Sequence, residues 1–383
     1  MKIVIAPDSY KESLSALEVA TAIEQGFREI WPDADYVKLP VADGGEGTVE
    51  AMVEATSGRI IHVDVTGPLG DRVKAFYGLS GDERSAFIEM AAASGLEQVP
   101  LRLRDPLKTT SWGTGELIRH ALDAGVEHII IGLGGSATND GGAGMVQALG
   151  AKLLDAQNNE IAQGGAALEN LTRIDISQLD PRLAACRIEV ACDVTNTLTG
   201  KEGASAVFGP QKGATPEMIT RLDKALVNYA QLIARDLDVD VLALAGGGAA
   251  GGMGAALYAF CGSQLRRGIE IVTDALHLDE CVADADLVIT GEGRIDSQTI
   301  HGKVPVGVAK VAKRYNKPVI GIAGSLTADV GVVHEHGLDA VFSVLYTICT
   351  LDDALKNAAE NVRMTARNVA AAIKVGQLMV PDA

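Results

Sequence analysis

The glycine-rich segment 132–144 is the part of the chain best suited to bind an anion. Six of its thirteen residues are glycine, and it lies between an apolar, strand-like run and a helical stretch. Glycine lets backbone N–H groups approach an anion closely, and the start of a helix adds about half a positive charge. A tight connection without a ligand is the simpler alternative, although every glycine costs backbone entropy on folding. The residues predicted to hold the anion are Gly134, Gly135, Ser136, Thr138 and Asn139.

Charged side chains follow two later strand-like runs. Asp193 comes directly after the apolar run 187–191, so it is a candidate Mg²⁺ ligand or catalytic base, although an aspartate here can also cap a turn. The segment 291–303 then carries four charged residues within thirteen positions. Such a loop can be merely solvated, but the flanking glycines favour a ligand lid. Its charged residues are Glu292, Arg294, Asp296 and Lys303.

Two more polar segments lie near the start of the chain. Ser9 and Lys11 follow the first predicted strand, at the edge where open α/β sheets bind ligands, but Lys11 is equally compatible with a solvated loop. Asp43 and Glu46 lie in a second glycine-rich segment. Either acid could hold a cation, accept a hydrogen bond from a substrate hydroxyl, or cap the following helix.

These residue types are the ones that phosphoryl transfer requires. The reaction needs backbone and cationic groups around the phosphates, an acid for Mg²⁺, and a group that orients the attacking hydroxyl. In this sequence each part follows a predicted strand. We therefore predict that Lys11, Asp193 and Lys303 are catalytic, that Asp193 and Asp296 hold the metal, and that the substrate contacts Ser9, Asp43 and Arg294.

The elements that must position these residues predict an α/β protein. Strand-like runs at 2–6 and 37–41 alternate with helical patterns. From residue 60 the pattern changes to short strands at 60–65, 73–79 and 85–90, a meander that begins a second domain. We expect a doubly wound, Rossmann- or flavodoxin-like parallel-sheet domain at 1–59 and 284–383, with a second α/β domain inserted at 60–283. The strands at 128–133 and 187–191 fit either domain.

The composition of the chain argues against several classes of binding partner. The chain has 383 residues and a formal charge of −17, which argues against nucleic acid and anionic membrane surfaces. Five scattered cysteines without a C-x-x-C pair argue against a zinc site and indicate reduced thiols. Met1 leads directly into a strand, and no run reaches the ~18 apolar residues of a membrane span, so we expect a cytoplasmic protein. Small molecules are the expected partners, and a homo-oligomer stays open.

Six motifs together give the chain a close, essentially end-to-end resemblance to the bacterial glycerate kinase family. One position departs from the family pattern, because Thr197 stands where a proline usually follows Thr195-Asn196. The motifs are Ala6-Pro-Asp-Ser-Tyr-Lys11, Asp43-Gly-Gly-Glu-Gly47, Gly134-Gly-Ser-Ala-Thr-Asn-Asp-Gly-Gly142, Ala191-Cys-Asp-Val-Thr-Asn196, Gly209-Pro-Gln-Lys-Gly213 and Gly291-Glu-Gly-Arg-Ile-Asp-Ser-Gln-Thr299.

The resemblance implies two α/β domains with an active site between them. It also implies an ATP-dependent kinase that uses Mg²⁺ and phosphorylates glycerate. The family favours transfer to the 2-hydroxyl of (R)-glycerate, which gives 2-phosphoglycerate and ADP, and the sequence leaves the 3-hydroxyl as an alternative.

Two other classes of protein compete with this interpretation. The order Gly132-Leu-Gly-Gly-Ser-Ala137 fits the G-x-G-x-x-A fingerprint of nicotinamide-dependent oxidoreductases, with Asp155 as the ribose ligand. That fingerprint would place Gly141, Gly142 and Gly144 inside a helix, at about 1 kcal/mol each relative to alanine. A non-catalytic binding protein for small anions would leave the acids at 43, 193 and 296 without a role.

Overall fold

A computed structural model describes residues 1–379 of the chain. Its strands, in chain order, are β1 Lys2–Ile5, β2 Asp35–Lys38, β3 Arg59–Thr66, β4 Arg72–Leu79, β5 Ser85–Glu89, β6 His128–Gly132, β7 Lys152–Leu154, β8 Arg173–Asp175, β9 Arg187–Ala191, β10 Gln264–Arg266, β11 Leu287–Thr290, β12 Arg294–Ile295, β13 Val319–Ala323, β14 Ser325–Leu326 and β15 Ala340–Ser343.

The α-helices lie between these strands. In chain order they are α1 Ala16–Arg28, α2 Thr48–Ala55, α3 Ala91–Ser94, α4 Trp112–Asp123, α5 Ala143–Ala148, α6 Ala204–Phe208, α7 Pro216–Leu237, α8 Ala249–Cys261, α9 Gly268–Ala275, α10 Leu278–Ala283, α11 Val304–Arg314, α12 Leu351–Lys356 and α13 Ala358–Leu378. None of the helices within residues 1–379 combines the length and the apolar character that a membrane crossing requires.

The chain divides into two compact units. The first unit comprises residues 1–43, 50–56 and 269–383, and it contains a five-stranded sheet in the order β2-β1-β11-β13-β15. Every neighbouring pair in this sheet is parallel. When only the strands of this sheet are numbered along the chain, the order is 2-1-3-4-5, which is the flavodoxin-like doubly wound order. The predicted α/β fold class is confirmed.

Local sequence explains how the first unit begins. The β1 residues Ile3, Val4 and Ile5 are fully buried, as expected for a parallel strand that is covered on both faces. Ser15 and Glu18 form a reciprocal capping box at the start of α1. The apolar face of α1 then packs against α13, so the two ends of the described chain share one core.

The second unit comprises residues 44–49 and 57–268, and it contains a six-stranded sheet in the order β10-β9-β6-β5-β4-β3. β3, β4 and β5 are antiparallel neighbours, as the predicted meander required. β5, β6, β9 and β10 are parallel, so their carboxyl ends lie along one edge. The strands at 128–132 and 187–191 therefore belong to this unit.

The boundary after the inserted segment differs from the predicted position at residue 284. Residues 269–283 pack with the first unit because α10 packs against α11 and α9 contacts α11 through Ile269 and Glu270. Ile269 lies against Gly307, where a Cβ would collide with it, and Lys310 is paired with Glu270 at 3.7 Å. These contacts are tertiary, so no composition change in the sequence marks them.

Candidate active site

In the first unit, two carboxylates lie where the strand order reverses. Chain order changes direction between β1 and β11, and open α/β sheets bind ligands beyond the carboxyl ends of strands at such a point. Asp8 follows β1 and Glu292 follows β11. The Asp8 backbone N–H donates to the Gly291 carbonyl at 2.8 Å, which ties the two strand ends together.

The Asp8 carboxyl is poised to exchange a proton near neutral pH. Burial raises the pKa of Asp8 to about 7, and the charges of Asp43 and Glu292 add to this rise. The Ser9 backbone N–H opposes it by donating to Asp8 Oδ1 at 2.7 Å. A carboxylate with this pKa is suited to act as a general base.

Glu292 holds Lys303 beside the same strand end. Its Oε1 accepts a hydrogen bond from Thr299 Oγ1 at 2.6 Å, and its Oε2 lies 3.5 Å from Lys303 Nζ. Burial raises the pKa of Glu292, and the Thr299 bond and the Lys303 charge oppose the rise. Lys303 directly precedes α11, so the helix fixes where its backbone lies.

Arg294 and Asp296 form an ion pair on the predicted lid. Arg294 Nε donates to Asp296 Oδ2 at 2.9 Å, and Asp296 Oδ1 accepts from the Gln298 backbone N–H at 2.8 Å. Both oxygens of this predicted metal ligand thus hold the loop together. The Arg294 side chain is 65% exposed and therefore accessible to a ligand. Lys11 is exposed as well.

In the second unit, the glycine-rich segment presents backbone at the carboxyl end of β6. Gly134 and Gly135 are exposed, and Gly135 is left-handed with φ +70°. The Gly135 carbonyl accepts a hydrogen bond from the Leu96 N–H at 2.8 Å. Neither the Gly134 N–H nor the Gly135 N–H donates a hydrogen bond to a backbone carbonyl within residues 1–379. Unpaired, exposed amides beside a left-handed residue are a suitable anion contact.

The predicted contribution of the helix N-terminus to anion binding is wrong. Asp140 is fully buried, and its carboxylate accepts from the backbone N–H groups of Gly142 and Gly144 at 3.1 and 3.2 Å. Ser111 donates to Asp140 through its N–H and its hydroxyl at 2.9 and 2.8 Å. The protein's own carboxylate therefore occupies the start of α5. Burial raises the pKa of Asp140, and these hydrogen bonds oppose the rise.

The three polar side chains that were predicted to hold the anion face inward. Ser136 is 6% exposed, and Thr138 and Asn139 are fully buried. Asn139 Nδ2 donates to Ser205 Oγ at 2.9 Å. Thr138 Oγ1 and Asn139 Oδ1 are buried without a hydrogen-bond partner among the described residues. Of the five residues predicted to hold the anion, Gly134 and Gly135 are the accessible ones.

A second glycine-containing turn packs against the glycine-rich segment 132–144. Residues 250–252 are left-handed, and the Gly141 N–H donates to the Gly251 carbonyl at 2.9 Å. A Cβ on Gly252 would lie 2.8 Å from the Gly141 Cα, so glycine is required for the two turns to approach. The close contact fixes the shape of the segment from a part of the chain about a hundred residues later.

Sequence reasoning missed Lys212. Its Nζ donates to Ser136 Oγ at 2.8 Å and to the Thr138 carbonyl at 2.7 Å, and the residue is 1% exposed. Burial lowers the pKa of Lys212 to about 7, and the Asp140 charge opposes this change. The only signal in the sequence was its place in the motif 209–213, one of the six motifs that carry the family resemblance.

Asp193 lies at the same edge of the second sheet as the glycine-rich segment. It follows β9, is exposed, and its Oδ1 accepts from the Gly268 N–H at 3.2 Å. Glu89 ends β5 and accepts from the Val49 N–H at 3.0 Å. Within residues 1–379, no group of three or more His, Cys, Asp or Glu side chains is arranged to hold a metal ion.

The geometry disagrees with a dinucleotide fingerprint. α5 begins only at Ala143, well after Gly134, whereas the fingerprint starts its helix at the second glycine. Asp155 accepts backbone hydrogen bonds from Gln157 and Asn159 in a turn, and the preceding β7 is antiparallel to β8. The oxidoreductase alternative therefore lacks both its helix start and its ribose ligand.

Comparisons with known proteins agree along almost the whole chain. A sequence model described as "Glycerate kinase family" matches residues 3–374. The chain is 68% identical to the Escherichia coli (strain K12) protein named "Glycerate 2-kinase", over 98% of this chain and 99% of that protein. It is 59% identical to the Bacillus subtilis (strain 168) "Glycerate kinase", over 99% of each.

A solved structure extends the comparison to the fold. The crystal structure described as that of a glycerate kinase 2 from Salmonella typhimurium LT2 is 85% identical to this chain. It superposes with a TM-score of 0.93 and covers 99% of this chain and 100% of its own. With the sheet order and the family match, this likeness leads to one conclusion: the chain belongs to the glycerate kinase family and is a phosphotransferase.

Proposed function

We propose that the protein transfers the γ-phosphoryl group of ATP to the 2-hydroxyl of (R)-glycerate, which gives 2-phosphoglycerate and ADP. The observation that carries this proposal is the near full-length, 68% identity to a relative named for 2-phosphorylation. Transfer to the 3-hydroxyl is the alternative. The names of the other relatives reported above specify no position.

The two units supply different contacts to this reaction. The exposed amides of Gly134 and Gly135 contact the phosphates, because peptide N–H groups bind phosphoryl oxygens without a competing counter-charge. Ser136, Thr138 and Asn139 then act by shaping this contact rather than by touching the nucleotide. Their inward orientation supports that role.

Side chains of the first unit contact glycerate. Arg294 binds the carboxylate, since a guanidinium can donate two parallel hydrogen bonds to it. Ser9 and Asp43 contact the hydroxyls, and Asp8 accepts the proton of the attacking hydroxyl. Lys11 and Lys303 meet the negative charge that spreads over the phosphoryl oxygens during transfer. The pKa of Asp8, near 7, supports its assignment as the base.

The donor set fits Mg²⁺ bound together with the nucleotide. Mg²⁺ in such enzymes uses one or two carboxylates plus phosphate oxygens, so a single exposed aspartate is sufficient. We assign this role to Asp193, which is exposed at the edge of the second unit's sheet, and Asp296 instead pairs with Arg294 within its own loop. When bound there, Mg²⁺ would neutralise part of the phosphate charge. Asp193 would hold the ion with its carboxylate, which lies at the carboxyl edge of the second unit's sheet.

One assay separates the reaction classes. The purified protein is incubated with ATP, Mg²⁺ and (R)-glycerate, and ADP formation is measured, with glycerate omitted as the control. Phosphorus NMR of the product then assigns the position, because a 2-phosphate couples to one carbon-bound proton and a 3-phosphate to two. A doublet supports the proposal, a triplet would establish the alternative, and no glycerate-dependent ADP would refute both.

A further inference from the structure

Lys212 is a buried lysine whose two hydrogen-bond partners are both in the glycine-rich segment. Its Nζ contacts Ser136 Oγ at 2.8 Å and the Thr138 carbonyl at 2.7 Å. Among the described residues, no carboxylate forms an ion pair with it. Asp140, the nearby acid, is already engaged by Ser111, Gly142 and Gly144. The ammonium is therefore held by neutral acceptors.

Such an arrangement is unfavourable for folding by itself. Taking an ammonium out of water without a paired charge is unfavourable even when hydrogen bonds remain. A methionine would fill nearly the same volume without that desolvation. A role for the charge in binding or in loop shape explains the buried lysine better than a packing role does.

The backbone that carries Lys212 is itself firmly placed. Lys212 ends the 3₁₀ helix Pro210–Lys212, and Gly213 follows with φ +91°. Arg104 Nη1 donates to the Gln211 carbonyl at 3.2 Å. Gly213 approaches Arg104 so closely that a Cβ on Gly213 would lie 3.0 Å from the Arg104 Cβ. The lysine is thus anchored at both ends of its turn.

The contacts of Lys212 fall directly behind the exposed amides. Ser136 follows Gly135, and between the two acceptors Ala137 donates to the Ser94 carbonyl at 2.9 Å. The Ala137 carbonyl accepts from Thr109 Oγ1 at 2.9 Å. Lys212 and these neighbours hold residues 136–138 on their inner side, which leaves the preceding two glycines facing outward.

We propose that Lys212 is a positioning residue: its ammonium fixes the backbone at residues 136–138 and so presents the Gly134 and Gly135 amides to the phosphate groups of the nucleotide. This inference rests on the proposed function, because it assumes that the segment is the nucleotide's phosphate site. It assigns to a side chain without solvent contact a role in nucleotide affinity rather than in packing.

The test is a split between two Michaelis constants. Lys212→Met keeps the volume and removes the donor, so KM for ATP is expected to rise at least tenfold while KM for glycerate stays within twofold. Lys201→Met, an exposed lysine of the same unit, is the matched charge control and should leave both unchanged. An unchanged KM for ATP, or equal rises in both constants, would overturn the inference.

A double-mutant cycle checks the route and covers a folding failure. Ser136→Ala removes one acceptor with little change in volume, so KM for ATP should rise several-fold, and the Lys212→Met/Ser136→Ala pair should lose less than the product of the two effects. Multiplicative losses would overturn the inference. If Lys212→Met does not fold, Ser136→Ala decides alone, and an unchanged KM for ATP would count against Lys212.

A separate variant distinguishes this inference from the proposed nucleotide site. Gly134→Val blocks the amide contact directly. If it weakens ATP binding and Lys212→Met does not, the nucleotide site stands and the positioning role fails. If Gly134→Val leaves ATP binding unchanged in a folded protein, the proposed nucleotide site fails, and the inference fails with it.

Discussion

Each unit has candidate site residues at one strand edge, and the two edges are built in opposite ways. In the first unit, charged side chains gather where the strand order reverses, and burial together with the charges of Asp43 and Glu292 raises the pKa of Asp8. In the second unit, the polar side chains turn inward and the exposed surface is peptide backbone. The edge in the first unit presents ionisable side chains, whereas the edge in the second unit presents peptide backbone in a fixed conformation.

This difference determines how each edge should respond to substitution. At the first edge, a side chain can be replaced by a neutral isostere and the loss reports on its charge. At the second edge, the informative changes add atoms to glycine or remove the buried supports behind it. Asp193 is the exception, because it is an exposed carboxylate at the backbone-built edge.

The largest expected effect is that of replacing Asp193, the exposed carboxylate at the edge that otherwise presents backbone. Asp193→Asn should lower kcat by at least ~100-fold while the affinity for ATP changes far less, because the isostere keeps its contact with Gly268 but loses the charge. Steady-state kinetics with Asp71→Asn, an exposed aspartate of the same unit, as control provide the measurement. Wild-type turnover in Asp193→Asn would remove the residue from the mechanism.

Adding a side chain to the backbone edge should come next. Gly134→Val should weaken ATP binding by at least about 30-fold, or ~2 kcal/mol, with little loss of stability. A Cβ at Gly134 meets no atom within 4 Å, so the protein itself has room for it. Calorimetric titration with ATP tests this, and Gly376→Val, which also adds a Cβ in open space, is the control. Normal binding by Gly134→Val would show that the segment is structural.

A charge-conserving change sharpens the comparison at the first edge. Arg294→Lys should raise KM for glycerate about tenfold, or ~1.4 kcal/mol, because lysine cannot reproduce the guanidinium fork. KM for ATP should hardly change. Arg314→Lys, an exposed arginine of the same unit, controls for the substitution itself. If ATP affinity fell and KM for glycerate did not, the lid would serve the nucleotide instead.

The last prediction concerns how the stability of the fold depends on pH. The folded protein raises the pKa of Asp8 from 3.8 to about 7, so between these values it binds more protons than the unfolded chain does. Its stability should therefore fall as pH rises through this window, by at most about 1.4 kcal/mol per pH unit from this group. In Asp8→Asn, that part of the slope should disappear in thermal melts between pH 4 and 7. An identical slope in both proteins would show that Asp8 does not titrate in this window.

The sequence predicted the elements well because buried strands and capped helices are local signals. The run at 2–6 is mostly apolar and β-branched, Ile188 and Val190 alternate with charged residues at 187–191, and the Ser15 capping box needs only four neighbouring residues. The sheet that owns a strand is not local, since β9 joins the second sheet only through its pairing with β6 and β10. The same limit explains the boundary at residues 269–283.

The candidate site was predictable in position but not in detail. Polar residues after apolar strands are visible in a sequence, and the parallel ladders then place them at common edges. The burial of Lys212 is not visible, because a lysine in a glycine–proline turn is normally solvated. Asp140 was equally hidden, since only the fold shows that its carboxylate replaces an outside anion at the start of α5.

The pairing of β1 with β11 has a consequence for how the chain is made. β1 and β2 leave the ribosome first, but β11 begins about 250 residues after β2 ends. At 5–20 residues per second, the open edge of β1 must wait roughly 10–50 s for its partner. The whole second unit is synthesised during that interval. Nascent chains should therefore protect the second unit from protease before the first, and the unpaired β1 edge is where a chaperone would be needed.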